Sequence, residues 1–178
     1  MERIGVSEYF KRPERLRPSE LVWGMVREPP APRYGHQSLL THLGALLHVY
    51  VREQGLGQVC VAPVDVVLDP RRCLVVQPDI VFVRRDRLEI IRDRIWGPPD
   101  LVIEVLSPGT AHRDRTTKLR WYRRYGVREC WLITRHRREI EVFRLDVRPV
   151  EHTAIAGADR IRSSVLPDWN QRAADVFD

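Results

Sequence analysis

Residues 100 to 106, DLVIEVL, carry leucine, valine and isoleucine on both sides of a strand. A sheet containing them must be covered on both faces, which asks for helices to supply the cover. One residue resists this reading. At a period of two, Glu104 shares a face with Asp100, Val102 and Leu106, while Leu101, Ile103 and Val105 take the other. Taking a lone carboxylate out of water costs several kcal/mol even after relaxation, so something must compensate Glu104.

Two stretches have the period of a covering helix. In HQSLLTHLGALLHVYVREQ (36 to 54), Leu39, Leu40, Leu43, Leu46, Leu47 and Tyr50 recur three and four residues apart, and Gly55 and Gly57 stop the pattern. In AHRDRTTKLRWYRRY (111 to 125), Leu119, Tyr122 and Tyr125 fall on an inner face, and Gly126 is suited to the position just past a helix end. SPGT before it reads as a turn with helix-capping potential. Between the helices, QVCVAPVDVVLD and CLVVQPDIVFV read as an antiparallel strand pair turning at Asp69 and Pro70. ELVWGMVRE (20 to 28) predicts a short strand, PPAPR a stiff connector, and residues 84 to 99 a charged segment with one short helix. ECWLIT and EIEVFRL form a terminal hairpin through RHRR, followed by a less regular tail. There is no internal repeat and no low-complexity tract.

The order helix, three strands, helix, strand, with a last strand at one edge, predicts an α/β fold with a mixed sheet flanked by helices. A right-handed crossover through the second helix is expected if its flanking strands are parallel. The 178 residues, 43% of them hydrophobic, suffice for one domain, here 19 to 178. Residues 1 to 18 alternate in charge, contain two prolines and read as a weakly ordered arm with at most a helical turn. No apolar run approaches the roughly 20 residues that cross a bilayer, and the start is charged where a signal peptide is apolar, so a cytoplasmic protein without a membrane partner is expected. Cys60, Cys73 and Cys130 lie too far apart for a CxxC pair or a disulfide framework and read as small buried hydrophobes.

The net charge of +6 fits a polyanionic partner such as nucleic acid, although acids and bases interleave along the chain. Lys11 and Lys118 are the only lysines among 30 basic residues. Arginine cannot serve where a compact, tunable ammonium is wanted, so each lysine has to be weighed separately.

A second carboxylate, Asp79, follows Pro78 in the run VVQPDIVFV; the proline ring removes a ladder donor and marks a strand start, edge or bulge. If its strand neighbours that of Glu104 in register, the two carboxylates converge and need a cation to stay ionised. Mg²⁺ suits them, because it takes oxygen ligands and is held by one or two carboxylates plus substrate phosphates. Lys118 lies one helix downstream, where it could orient water or neutralise charge on a phosphate. Each has a plainer reading. Asp79 and Glu104 could accept backbone or arginine hydrogen bonds, and Lys118 could pair with Asp114 at i−4 for about 0.2–0.5 kcal/mol. Asp100 reads as a turn aspartate; the arginines at 84, 85, 87, 92, 94, 135, 137 and 138 could contact phosphates, each then adding to a salt-dependent affinity, although a solvated face accounts for most of them; and Trp96, Trp121 and Trp131 read as core or interface aromatics.

Four segments, GHQSLLTHLGALL, QPDIVFV, GPPDLVIEVLSPGT and RDRTTKLRWYRRYGVRECWLI, together resemble the Uma-two family, classed as restriction endonucleases within the PD-(D/E)XK nuclease superfamily. The resemblance spans about residues 20 to 170. It implies a restriction-endonuclease-like core in the order α-β-β-β-α-β, and a metal-dependent endonuclease, with Mg²⁺ or Mn²⁺ as cofactor, hydrolysing DNA phosphodiesters through activated water. It also implies that Asp79 and Glu104 bind the metal. The superfamily lysine stands two residues after the glutamate, where this chain has Leu106, so the role would pass to Lys118. Glu20 and His36 match an early glutamate and a helix-start histidine of the family and are further site candidates, against plainer readings as an exposed charge and a capping residue. The alternative is an inactive module of the same fold that binds nucleic acid or a protein. A homodimer is expected, because the terminal hairpin leaves an edge to cover.

Overall fold

Pro63 and Pro78 each interrupt a β-branched run, and at both the chain leaves one sheet for another. The computed structural model describes residues 3–13, 18–106 and 114–177. A short helix α1 (Val6–Phe10) precedes the strands β1 (Glu20–Val22) and β2 (Met25–Arg27), and the long helix α2 (Tyr34–Glu53) follows. Next come β3 (Gly57–Val61), β4 (Val66–Asp69), β5 (Leu74–Val76) and β6 (Ile80–Arg84), a 3-10 segment Arg85–Ile90, β7 (Ile95–Trp96) and β8 (Leu101–Val105). A π-helical turn, Asp114–Lys118, runs into α3 (Leu119–Tyr125), and β9 (Glu129–Thr134), β10 (Glu139–Arg144) and β11 (Glu151–Ala156) complete the strands.

The large sheet has the order β11-β10-β9-β8-β6-β3 and the small one β2-β1-β5-β4-β7. In the large sheet, α2, β3, β6, β8, α3 and β9 follow one another as the expected α-β-β-β-α-β core. β8 and β9 are parallel across α3, whereas β3–β6 and β6–β8 are antiparallel. The two long runs do pair antiparallel as read, but as two bent halves: β3 with β6 in the large sheet and β4 with β5 in the small one. A proline supplies no ladder N–H, so the break falls where pairing would otherwise continue.

Both faces of β8 are covered, as its composition requires. On one side Leu39, Leu40, Leu43, Leu47 and Val51 of α2 pack on Ile80, Phe82, Leu101, Ile103 and Trp131. On the other, Tyr122 of α3 and the small sheet's Val66, Leu74 and Val76 pack on Val81, Val102, Cys130 and Leu132. Gly126 ends α3 in the left-handed region at φ 94°, where a side chain would be strained.

Several sequence expectations are corrected. One mixed sheet becomes two, because the prolines redirect the strand pair. The strand expected over 20 to 28 is a hairpin, turning at Trp23 and Gly24 with φ 54° and 83°. The tail contributes β11 to the large sheet. Cys130 is buried but Cys60 is exposed. In the arm, Val6 and Tyr9 pack on Leu21, Val67 and Val75. The SPGT turn, residues 111 to 113 of the second helix and the side chain of Asp114, proposed partner of Lys118, lie outside the described residues.

Candidate active site

Asp79 and Glu104 meet because of strand register. β6 and β8 pair Ile80 with Ile103 and Val81 with Val102, so one step outward Asp79 falls opposite Glu104. Asp79 stands just before β6, where the chain crosses between sheets. Its Oδ2 accepts the Val105 N–H at 2.7 Å, and its Oδ1 lies 3.2 Å from Nε2 of His36 in the first turn of α2. Glu20, the first residue of β1, enters from the small sheet and accepts the Gln77 N–H at 3.2 Å.

Lys118 joins these groups. Its Nζ lies 2.9 Å from Glu20 Oε1 and 3.1 and 3.4 Å from the two oxygens of Glu104. Four residues on, and so on the same helix face, Tyr122 donates its hydroxyl to Glu104 Oε1. The π turn gives the segment a second reach: Arg115 donates to Glu141 Oε1 at 2.5 Å. Glu141 pairs with Leu132, which pairs with Glu104, so the turn sends two cations to two buried carboxylates in one row of the large sheet.

All five candidates, Glu20, His36, Asp79, Glu104 and Lys118, thus come together at one end of the large sheet. Glu104 is 5% exposed. Burial pushes its carboxyl up to about 8; Lys118 and Tyr122 oppose the rise, and the charges of Asp79 and Glu20 add to it. Burial and the charge of Glu104 hold the Tyr122 hydroxyl well above its ordinary value, so it stays a donor. Glu104 is therefore crowded by like charge in a dry place, with a single ammonium against three carboxylates.

Two buried carboxylates at the opposite end of the sheet differ. Asp100, read from sequence as a turn aspartate, is wholly buried and accepts the Arg84 N–H and Arg87 Nη1, each at 2.9 Å. Glu129 accepts the Trp131 indole N–H at 2.7 Å, Ser163 Oγ at 2.6 Å, and the N–H and Oγ of Ser164 at 2.6 and 2.5 Å. Among the described residues, the hydrogen-bond partners of both are donors.

The residues of the site suit a hard divalent ion. Asp79, Glu104 and Glu20 offer only oxygen, and their mutual repulsion at Glu104 is what such an ion relieves. Among the described residues no group of three or more His, Cys, Asp or Glu side chains stands ready as a complete cage. Mg²⁺ does not need one, since it keeps several waters and takes one or two carboxylates.

Sequence reasoning missed two contributors. Tyr122 was read only as a core aromatic, yet a tyrosine buried four residues after Lys118 has a hydroxyl that needs a partner, and that was the available signal. Gln77 receives the Ser19 N–H at 3.1 Å and donates to Asp65 at 2.9 Å while its own N–H serves Glu20. Nothing in its neighbourhood in the chain marks it.

A helix-flanked mixed sheet in this order, with paired carboxylates at the ends of two neighbouring strands, defines a restriction-endonuclease-like fold. The Uma2 family model, described as "Putative restriction endonuclease", matches residues 6–175, and the chain belongs to that family. A crystal structure described as "a putative nuclease belonging to DUF820 from Anabaena variabilis" superposes with a TM-score of 0.81 at 19% identity, covering 98% of this chain and 97% of that one, which bears on the fold. No curated protein matches the chain. A nuclease function in general follows from the family.

Proposed function

We propose that this end of the large sheet hydrolyses phosphodiester bonds of DNA with a divalent cation, Mg²⁺ or Mn²⁺, held by Asp79 and Glu104. The observation that carries the reading is the cross-strand placement of those two carboxylates with Lys118 bound to one of them. When bound, such a cation supplies Lewis-acid polarisation of the phosphate and activation of water. The chain's own residues do the rest. The Val105 N–H and His36 orient Asp79, and Tyr122 orients Glu104. Lys118, anchored on Glu20, presents a positive charge where negative charge develops on the phosphate or on the attacking water. No covalent bond to the protein is needed. Leu106, at the position where the superfamily carries its lysine, packs in the apolar cluster with Tyr122, so the ammonium arrives from the helix instead.

A second reading is a nuclease-fold module without turnover. It is favoured by that displaced lysine and by the engagement of Lys118 with two carboxylates at once. Titrating Mg²⁺ and Mn²⁺ against labelled single- and double-stranded DNA separates the two. Metal-dependent cleavage lost in both Asp79→Ala and Lys118→Ala supports the hydrolase; binding that survives both, with no cleavage of any substrate by the wild type, supports the module. Among the described residues no helix is long and apolar enough to cross a membrane. The exposed edge strand β11 offers a second copy a place to pair in a homodimer.

A further inference from the structure

We infer that the basic turn between β9 and β10, set against the first turns of α2, carries the stretch of nucleic-acid backbone that flanks the bond being cleaved. This deepens the proposed function and rests on it.

The argument starts from strand direction. β8 and β9 run parallel with Val105 beside Ile133, and the Leu106 N–H bonds to the Ile133 carbonyl at 2.9 Å. Both strands therefore finish at the same end of the large sheet. Glu104 is at that end, and the turn Arg135-His136-Arg137-Arg138 leaves from it.

The start of α2 links the turn to the site. His36 contacts Asp79, and its neighbour Gly35 faces Arg135 so closely that a Cβ there would lie 2.2 Å from the guanidinium carbon and 2.4 Å from each terminal nitrogen. The guanidinium occupies the space a side chain would take. Glycine at 35 is what lets it lie against the helix, one residue from the contact with Asp79. Ser38 and His42, further along α2, face Arg135, His136 and Arg138 across an open cleft.

The charge of the turn is left over rather than spent. Arg84, Arg87, Arg94, Arg115 and Arg128 each sit on a carboxylate. Arg135 and Arg137 are exposed and have no carboxylate partner among the described residues, while Arg138 is occupied by the Ala174 carbonyl at 3.5 Å. Uncompensated guanidinium groups beside a phosphodiester site match a polyanion that continues past it, because each phosphate neutralised releases counterions.

The test compares the wild type with the double substitution Arg135→Ala plus Arg137→Ala. A second double substitution, Arg71→Ala plus Arg72→Ala in the β4–β5 turn, makes the same charge change away from the site. Affinity for a short labelled duplex is read in EDTA by fluorescence anisotropy between about 50 and 200 mM salt, and cleavage kinetics are read separately with Mg²⁺. The 135/137 variant should bind at least about tenfold more weakly, with a salt slope smaller by roughly 1 to 2 units, whereas the 71/72 variant stays near wild type. KM should rise with kcat little changed. Arg135→Lys plus Arg137→Lys, which keeps the charge, should recover most of the affinity and so separate charge loss from damage to the fold. Wild-type binding and cleavage matched by the 135/137 variant, equal losses in both alanine pairs, or no recovery with lysine would overturn this inference and leave the nuclease reading standing. A folded wild type that neither binds nor cleaves would overturn both.

Discussion

The two ends of the large sheet each bury carboxylates and treat them in opposite ways. At one end Asp100, which precedes β8, and Glu129, which opens β9, are wholly buried, and each is surrounded by donors: arginine and backbone N–H for the first, serines and an indole for the second. At the other, Glu104 is almost as buried but faces Asp79 and Glu20, with one lysine and one tyrosine to offset them. Asp100 and Glu104 lie four residues apart in one β-branched segment and share a face by period, so neither burial nor sequence environment separates them. What separates them is the company each keeps. Where a buried carboxylate meets only donors it braces the fold; where it also faces other carboxylates, their repulsion is a cost that a bound cation would remove.

The largest effects should come from exchanging these two fates. Glu104→Gln is expected to reduce Mg²⁺-dependent cleavage to background while leaving Tm little changed near neutral pH, because Lys118 keeps Glu20 and glutamine stands in for the protonated carboxyl that Glu104 holds below about pH 8. Glu129→Ala should do the reverse. It strands the donors on Trp131, Ser163 and Ser164, a cost of about 3 kcal/mol or more. In a chain of this length that lowers Tm by roughly 6–12 °C, with kcat retained by the folded fraction. Calorimetry beside a cleavage assay checks both, and a Glu104→Gln protein that melts as far below wild type as Glu129→Ala would erase the distinction between the two ends.

How far this contrast could be read in advance depends on the range of the interactions involved. Glu104 stood out because one acid in DLVIEVL breaks a local pattern, and the helices were legible because Leu39, Leu43 and Leu47 repeat at helical spacing. The convergence of Asp79 with Glu104 was legible only as a condition, since it needs their strands to be neighbours in register, which the order of elements does not give and the β6–β8 pairing supplies. The second sheet was not legible. Pro63 and Pro78 were visible, but whether a proline ends a strand or sends it into another sheet depends on what waits beyond it, here the β1–β2 hairpin and β7, contributed by distant segments. Asp100 was misread for the same reason: its partner Arg87 comes from the charged segment after β6, and no periodicity announces a contact made by a 3-10 turn. The part played by Tyr122 was hidden because its ring satisfies a core pattern whether or not its hydroxyl is used.

Tyr122→Phe sharpens the comparison at an intermediate scale. The substitution keeps the ring in its cluster and deletes only the donor to Glu104. Removing a group that orients a metal-binding carboxylate costs about 10- to 100-fold in metal affinity in comparable sites. Isothermal titration of Mn²⁺ should register a loss in that range with Tm little moved. Unaltered Mn²⁺ affinity would reduce Tyr122 to a packing residue.

The same comparison extends to the pH dependence of the metal-free protein. With its carboxyl at about 8 when folded against an ordinary 4.5, Glu104 holds a proton in the folded chain over a range where the unfolded chain has released it. Folding then takes up a proton between those values, and stability falls as pH rises, because the unfolded state binds fewer protons. The contribution is greatest below about pH 4.5, declines through the interval, and levels off once pH passes about 8. This is opposite in sign to a carboxylate held low by donors, which gains stability as pH rises towards its unfolded value and levels off above it. Melting curves in EDTA from pH 5 to 8 should therefore drop more steeply for the wild type than for Glu104→Gln, which has no proton to lose at that position. Saturating Mg²⁺ should flatten the wild-type curve towards that of the variant, since the ion favours the ionised carboxylate. Parallel EDTA curves for the two proteins would mean that Lys118 and Tyr122 already neutralise Glu104, making it one more braced carboxylate like Asp100.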